Sequence, residues 1–264
     1  LSQLTINNFN PKKIKWLKDY YGNPAAYYPL KVPGVTTVLG DMIVDPEYLK
    51  FIEEVGEEKA KQITEAAWHR GTAMHSFIEN FVKELAKSKD PSMALQHTQQ
   101  VSPMLLEQEG VPMEKIDKGR ELFLNFYYSD YANSYTDLIG TELVLYSPSL
   151  FYRGKTDVFF NENGIGRVIT DFKTTSKFIV KGSVKEQIYK HQLGAYAIAA
   201  EEMFAEKQVK IAKASILAVH TKSTLIQEIV CQGDELEEHK EAFKTIVKAW
   251  HIKNNQGFLF DERA

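Results

Sequence analysis

Arg153-Gly154-Lys155-Thr156-Asp157, followed fourteen residues after its aspartate by Asp171-Phe172-Lys173-Thr174-Thr175, is the stretch whose reading decides the fold. Around it the residues alternate and β-branch, which predicts three successive strands over Thr141–Tyr146, Tyr152–Phe160 and Arg167–Phe172. Ser147-Pro148-Ser149 and the run from Asn161 to Gly166 between them suit hairpin connections. Further out, Ile188, Leu193, Tyr196, Ala197 and Ala200 supply the apolar stripe of a helix over Val184–Met203. Strands over Lys213–His220 and Leu225–Val230 follow, then a helix capped by Asp234 and continuing to about Lys253.

Upstream the period changes. Tyr48, Leu49, Ile52 and Val55 recur at helical spacing, and Ile63, Ala67, Met74, Ile78, Phe81 and Leu85 continue it, with a break near Gly71. Ser88 to Pro112 lacks clean periodicity; Leu122, Phe123, Phe126 and Tyr127 restore it. Val35–Val38, after Pro33-Gly34, reads as a small strand or the entry to a helix, and the first thirty residues as an irregular aromatic arm. Hairpin strands, a crossover helix, more strands and a closing helix describe an α/β core preceded by helices. With no repeat and no long linker, residues 1–264 read as one domain, mainly helical over 1–135 and α/β over 136–264.

The composition narrows the function classes. The 264 residues are 44% hydrophobic and 25% charged, enough to bury a sizeable core and too apolar for disorder throughout. No run of 18 apolar residues exists, so no membrane partner is expected, and neither a signal peptide nor another targeting segment is visible. The leading residue is leucine, which leaves a removed peptide open. The single cysteine, Cys231, excludes an internal disulfide and multi-cysteine metal sites, and fits a reducing compartment. A formal net charge of -3 means that any attraction for phosphate is local. The stretch from Arg167 to Lys190 carries six basic and two acidic side chains, a balance of +4.

The opening stretch also carries the chemistry. On adjacent antiparallel strands Asp157 and Asp171 can converge at one sheet end, and the period of two puts Asp171 and Lys173 on one face. Two crowded carboxylates stay ionised most easily around a hard divalent cation. Phe172 turns its ring to the opposite layer and leaves its main-chain carbonyl as a further oxygen ligand. Lys173 can orient or help deprotonate a water, or neutralise charge on phosphate oxygens. Mg²⁺ or Mn²⁺ is the expected cofactor, since no Cys/His cluster suggests zinc.

This arrangement resembles the PD-(D/E)XK nuclease superfamily, in its RecB-like exonuclease branch, and is most similar to the mitochondrial genome maintenance exonucleases and related bacteriophage nucleases. Asp157 matches the first metal carboxylate, Asp171 the second, and Lys173 the lysine of the D-x-K segment; Asp171 stands where many members have Glu. Thr174 matches the hydroxyl residue after the lysine, and Gln192 and Tyr196 the Q-x-x-x-Y feature of the next helix. Gly71-Thr72-Ala73-Met74-His75 resembles the helix motif whose histidine reaches the metal, with Glu79 one turn on. Pro33-Gly34-Val35-Thr36-Thr37-Val38-Leu39 is similar to the P-x-V-T-x-V-L segment of the same group.

The resemblance implies a restriction-endonuclease-like mixed sheet flanked by helices, with an N-terminal helical region. It also implies metal-dependent DNA exonuclease activity in replication, repair or recombination, on single-stranded or free DNA ends. A structure-selective endonuclease on the same residues, and a noncatalytic DNA-binding recombination scaffold, are the alternatives. Gln192 joins the catalytic set with Asp157, Asp171 and Lys173; His75 joins the metal ligands, or is a core histidine. Glu142 binds or orients a second metal, or forms an ion pair. Arg153 and Lys155 hold the scissile strand or stabilise a strand edge. Thr174 and Lys177 are further substrate contacts. Tyr196 supports the Gln192 contact, packs over a nucleotide, or packs in the core. Tyr27 and Tyr28 stack on bases or pack locally. The expected setting is the cytoplasm of a bacterial host, as a bacteriophage protein, ahead of a mitochondrial one. Replication or recombination proteins are possible partners, and no signature indicates an oligomeric state.

Overall fold

The computed structural model describes residues 32–256; the arm carrying Tyr27 and Tyr28 lies outside the described residues. Seven α-helices are described: α1 (Val35–Met42), α2 (Pro46–Val55), α3 (Glu57–Ser88), α4 (Pro91–Gln108), α5 (Met113–Tyr127), α6 (Val184–Met203) and α7 (Gly233–Lys253). Five strands, β1 (Leu138–Ser147), β2 (Tyr152–Glu162), β3 (Gly166–Thr175), β4 (Ile211–His220) and β5 (Ile226–Gln232), form one sheet in the order β1-β2-β3-β4-β5. All neighbours are antiparallel except β3 and β4, which run parallel. A parallel pair needs a crossover, and α6 supplies it. The architecture is the expected one: a mixed sheet flanked by helices, with a helical region before it. No helix among the described residues is long and apolar enough to cross a membrane.

The sheet divides two cores. In β2 the alternation Val158, Phe159, Phe160 sends Phe159 to one core and its neighbours to the other. The first core gathers Phe159 and Ile169 with Leu193 and Ala197 of α6 and Phe243 and Val247 of α7. The second packs Val158, Phe160, Val168 and Phe172 against Phe77 and Phe81 of α3 and Phe123 and Phe126 of α5. Phe172 makes edge contact with Phe126 at 5.2 Å between ring centres, so its ring occupies the layer opposite α6, as expected. Close helix crossings depend on missing side chains. A Cβ on Gly119 would lie 2.4 Å from Ala73 Cβ where α5 crosses α3, and one on Gly194 would lie 2.6 Å from the His239 backbone where α6 crosses α7.

Of the two readings of Val35–Val38, the entry to a helix is the one observed. Three local expectations are corrected. The break placed near Gly71 lies instead at Gly56, whose φ of 82° suits glycine, and α3 runs unbroken for 32 residues. The aperiodic stretch contains α4, capped by Asp90 on the N–H groups of Ser92 and Met93, with Pro91 in its first turn. Its buried stripe, Ala94, Thr98, Ser102 and Leu106, is half polar and so invisible to a search for apolar periodicity. Finally, α7 begins at Gly233, so Asp234 sits inside its first turn, complementing the helix dipole, and is not its cap.

Candidate metal centre

The two aspartates lie not at a sheet end, as expected, but mid-strand where β2 and β3 part just beyond their Val158–Thr170 pair, and a helix across them completes the site. β2 brings Asp157, β3 brings Asp171 and Lys173, and α3 crosses them with His75. The Phe172 N–H donates to Asp157 Oδ2 at 2.6 Å, which fixes the carboxylate against the neighbouring strand. Asp157 Oδ1 lies 3.2 Å from His75 Nδ1. Glu142 occupies the middle of β1, between residues paired with Val158 and Thr156, and therefore opposite Asp157. Its φ of 49° is left-handed, a rare state for a residue with a side chain. Strain of this kind breaks strand alternation and persists only where the surroundings hold it. One ligand atom each from His75, Glu142 and Asp157 lie within 4.8 Å of one another.

Two carboxylate oxygens and an imidazole nitrogen can hold a divalent cation. Asp171, assigned on sequence grounds to the same ion, is not among the three converging donors; its carboxylate forms an ion pair with Lys173. That residue is 2% exposed, and the oxygen that meets the Lys173 ammonium is Oδ2, so the buried charge is paired beside the cluster. The converging donor set fits a cation.

Electrostatics separate the two aspartates. Burial raises both acids. At Asp157 the His75 imidazole, the Lys173 ammonium and the Phe172 N–H outweigh burial and hold the carboxyl below its ordinary value. At Asp171 burial and the Asp157 charge prevail over Lys173, and the acid is pushed up to about 6. Burial lowers Lys173, but the Asp171 and Asp157 charges push it up to about 12, so in the metal-free protein it is an ammonium at neutral pH. Burial likewise lowers His75, and Asp157 more than compensates, raising it.

The other candidates fall in different places. Gln192 is buried and donates through Nε2 to the Tyr196 hydroxyl at 2.9 Å. Tyr196 is 4% exposed and belongs to the first core, so its ring is closed to a nucleotide. It lies over Gly154, where a Cβ would approach Tyr196 Cε1 to 2.6 Å; the glycine before Asp157 makes room for the ring. Lys155 is paired with Glu142 and otherwise exposed. Arg153 is exposed, its backbone N–H bonded to Pro33 O at 2.9 Å, and Lys177 is exposed in the connection after β3. Thr174 is half-buried and faces Gly71.

The basic stretch does not form one patch. Arg167 stands six residues before Lys173 on β3, about 20 Å away at strand rise, and Lys190 is tied to Glu186 at 3.3 Å and Glu235 at 2.6 Å. Sequence reading missed Tyr189, which exchanges charge interactions with Lys173 and Asp171 and lies under the Lys185 ammonium at 6.0 Å. Its position three residues before Gln192, on the face of Gln192 and Tyr196, was the available signal.

None of the curated proteins matches the chain. Among solved structures it is similar to a candidate exonuclease from Eubacterium rectale, at 13% identity and a TM-score of 0.44, covering 71% of this chain and 68% of that one. It is also similar to SSO0001, at 15% identity and a TM-score of 0.31, covering 94% and 84%. Likenesses this distant carry no argument about activity. The family model of the PD-(D/E)XK nuclease superfamily, however, matches residues 48–260, a span that takes in all five strands and every donor of the metal-capable corner, and the chain belongs to that superfamily.

Proposed function

We propose that this protein is a Mg²⁺- or Mn²⁺-dependent deoxyribonuclease of the RecB-like branch, an exonuclease acting on single-stranded DNA ends in replication, repair or recombination. The observation that carries the reading is the convergence of His75, Glu142 and Asp157 donors beside the buried Asp171–Lys173 pair. The branch is supported by G-T-x-x-H on the helix that supplies His75 and by Q-x-x-x-Y on α6. Residues 1–264 act as one domain in this reading.

His75, Glu142 and Asp157 would hold the ion, with Asp171 completing the negative surroundings. A bound divalent cation supplies Lewis-acid polarisation of the phosphate and a water acidified enough to attack it. Lys173, an ammonium in the metal-free protein, offsets the negative charge that develops on the phosphate oxygens. The Phe172 N–H keeps Asp157 aimed at the site while the chemistry proceeds. Gln192 and Tyr196, bonded to each other, fix the α6 wall beside the carboxylates, and Lys155 and Lys177 attract the backbone. α3 lies across β1, β2 and β3 at the site, which restricts approach and supports end dependence.

The test is a cleavage panel with Mg²⁺ or Mn²⁺, end-labelled linear DNA and covalently closed circles of the same sequence, single and double stranded. Metal-dependent digestion of linear single strands, with circles spared and Lys173→Ala inactive, is expected. Equal turnover of circles replaces the exonuclease with an endonuclease; no cleavage under any condition leaves a DNA-binding scaffold.

A further inference from the structure

α3 lays one stripe of residues across three neighbouring strands. Glu79 accepts from Thr141 Oγ1 of β1 at 3.3 Å, His75 meets Asp157 of β2 at 3.2 Å, and Gly71 faces Thr174 of β3, whose Oγ1 is 3.9 Å from where a Cβ would stand. These positions are four apart, so the helix face that borders the metal centre runs from Glu79 back toward its N-terminus. Trp68 is next along it. Seven residues before His75, it returns to within about 20° of the same direction and lies about 10 Å along the axis. Its indole is 65% exposed, meeting edge-on only the neighbouring His69 ring at 4.9 Å among described ring contacts.

A large aromatic surface left in water, in line with a metal centre, is suited to one thing the chemistry of the site requires: a nucleobase. Bases in a duplex are stacked on one another and present no free face, whereas each base of a single strand does. The charges agree, because the connection leaving β3 just beyond Thr174 carries exposed Lys177 and Lys181, and Lys155 is exposed beside Glu142.

We infer that Trp68 is a stacking platform for a base of single-stranded nucleic acid a few nucleotides from the metal centre, and that it confers the single-strand preference. The inference rests on the nuclease reading above. Fluorescence reports on Trp68 by comparison with Trp68→Phe: of the chain's 3 tryptophans, Trp250 is 3% exposed with its Nε1 bonded to Asp41 at 2.8 Å, and Trp16, outside the described residues, is common to both proteins.

The experiment compares the parent protein, Trp68→Phe and Trp68→Ala, binding a short oligothymidylate and a duplex of equal length in EDTA. Single-strand affinity should fall about ten-fold in Trp68→Ala and be largely restored in Trp68→Phe, as expected for loss and return of one stacked base. Duplex affinity and thermal unfolding should not change in either variant. Oligothymidylate should quench parent fluorescence, and Trp68→Phe should lose that quenching while still binding. A parent that binds and cleaves single strands while Trp68→Ala binds them equally well overturns the platform and leaves the nuclease reading intact. Equal weakening of single and double strands also overturns it. A parent that neither binds nor cleaves DNA removes the nuclease reading, and this inference with it.

Discussion

The metal-free protein carries a stored electrostatic penalty at Asp171 that can be measured without any substrate. Its carboxyl is pushed from an ordinary 3.8 up to about 6 by burial and by the Asp157 charge. At about 1.4 kcal/mol per tenfold change in acid dissociation, the difference corresponds to about 3 kcal/mol. The sign follows from linkage. Below pH about 4 the acid is protonated in both folded and unfolded chains; between about 4 and about 6 the unfolded chain ionises it while the buried site keeps its proton, so stability falls across that window and levels off once the folded chain ionises too. Asp171→Asn retains the shape without the charge. Urea unfolding in EDTA from pH 4.5 to 7.5 should therefore show the variant gaining on the parent by about 2 kcal/mol, almost all of it below pH about 6.5. Adding Mg²⁺ at pH 7.5 should narrow the gap, since a cation relieves the repulsion in the parent. A difference between the two proteins that stays constant with pH, or that moves against the variant, would refute the electrostatic account of this corner.

Lys173→Met should lose cleavage by more than about 100-fold, the scale of removing one group that stabilises transition-state charge, while retaining DNA affinity in EDTA. Metal-dependent turnover should fall as pH drops below about 7, because His75, raised above its ordinary 6.5, and Asp171, at about 6, both bind protons that compete with a cation; a rate flat from pH 5 to 8 would contradict this. Gly154→Ala should destabilise the fold by about 1–3 kcal/mol through its clash with the Tyr196 ring, visible as a lowered urea midpoint even without metal.

Sequence pattern reached the elements whose signal is local. Residues Val184–Met203 form α6 as predicted, because the helix begins at a Ser183 cap and its buried side is apolar. The strands of Asp157 and Asp171 were legible from alternation, and their pairing from the hairpin between them. α4 was not, because Thr98 and Ser102 occupy its buried stripe and Pro103 interrupts it. At the site, the types and strand positions of Asp157, Asp171 and Lys173 were readable, but not how their charges divide. That Asp171 turns to Lys173, while Glu142 joins His75 and Asp157, depends on a left-handed residue inside β1. Nothing in Thr141-Glu142-Leu143 announces that conformation, since glutamate rarely adopts it. The placement of Trp68 and Tyr189 comes from where α3 and α6 cross the sheet, which spacing along one helix only indicates.

The most direct test is an anomalous diffraction measurement on crystals soaked with Mn²⁺. The account predicts a peak bounded by His75, Glu142 and Asp157, with oxygen ligands at about 2.0–2.6 Å. A peak elsewhere, or none at Mn²⁺ concentrations that support cleavage, would contradict it.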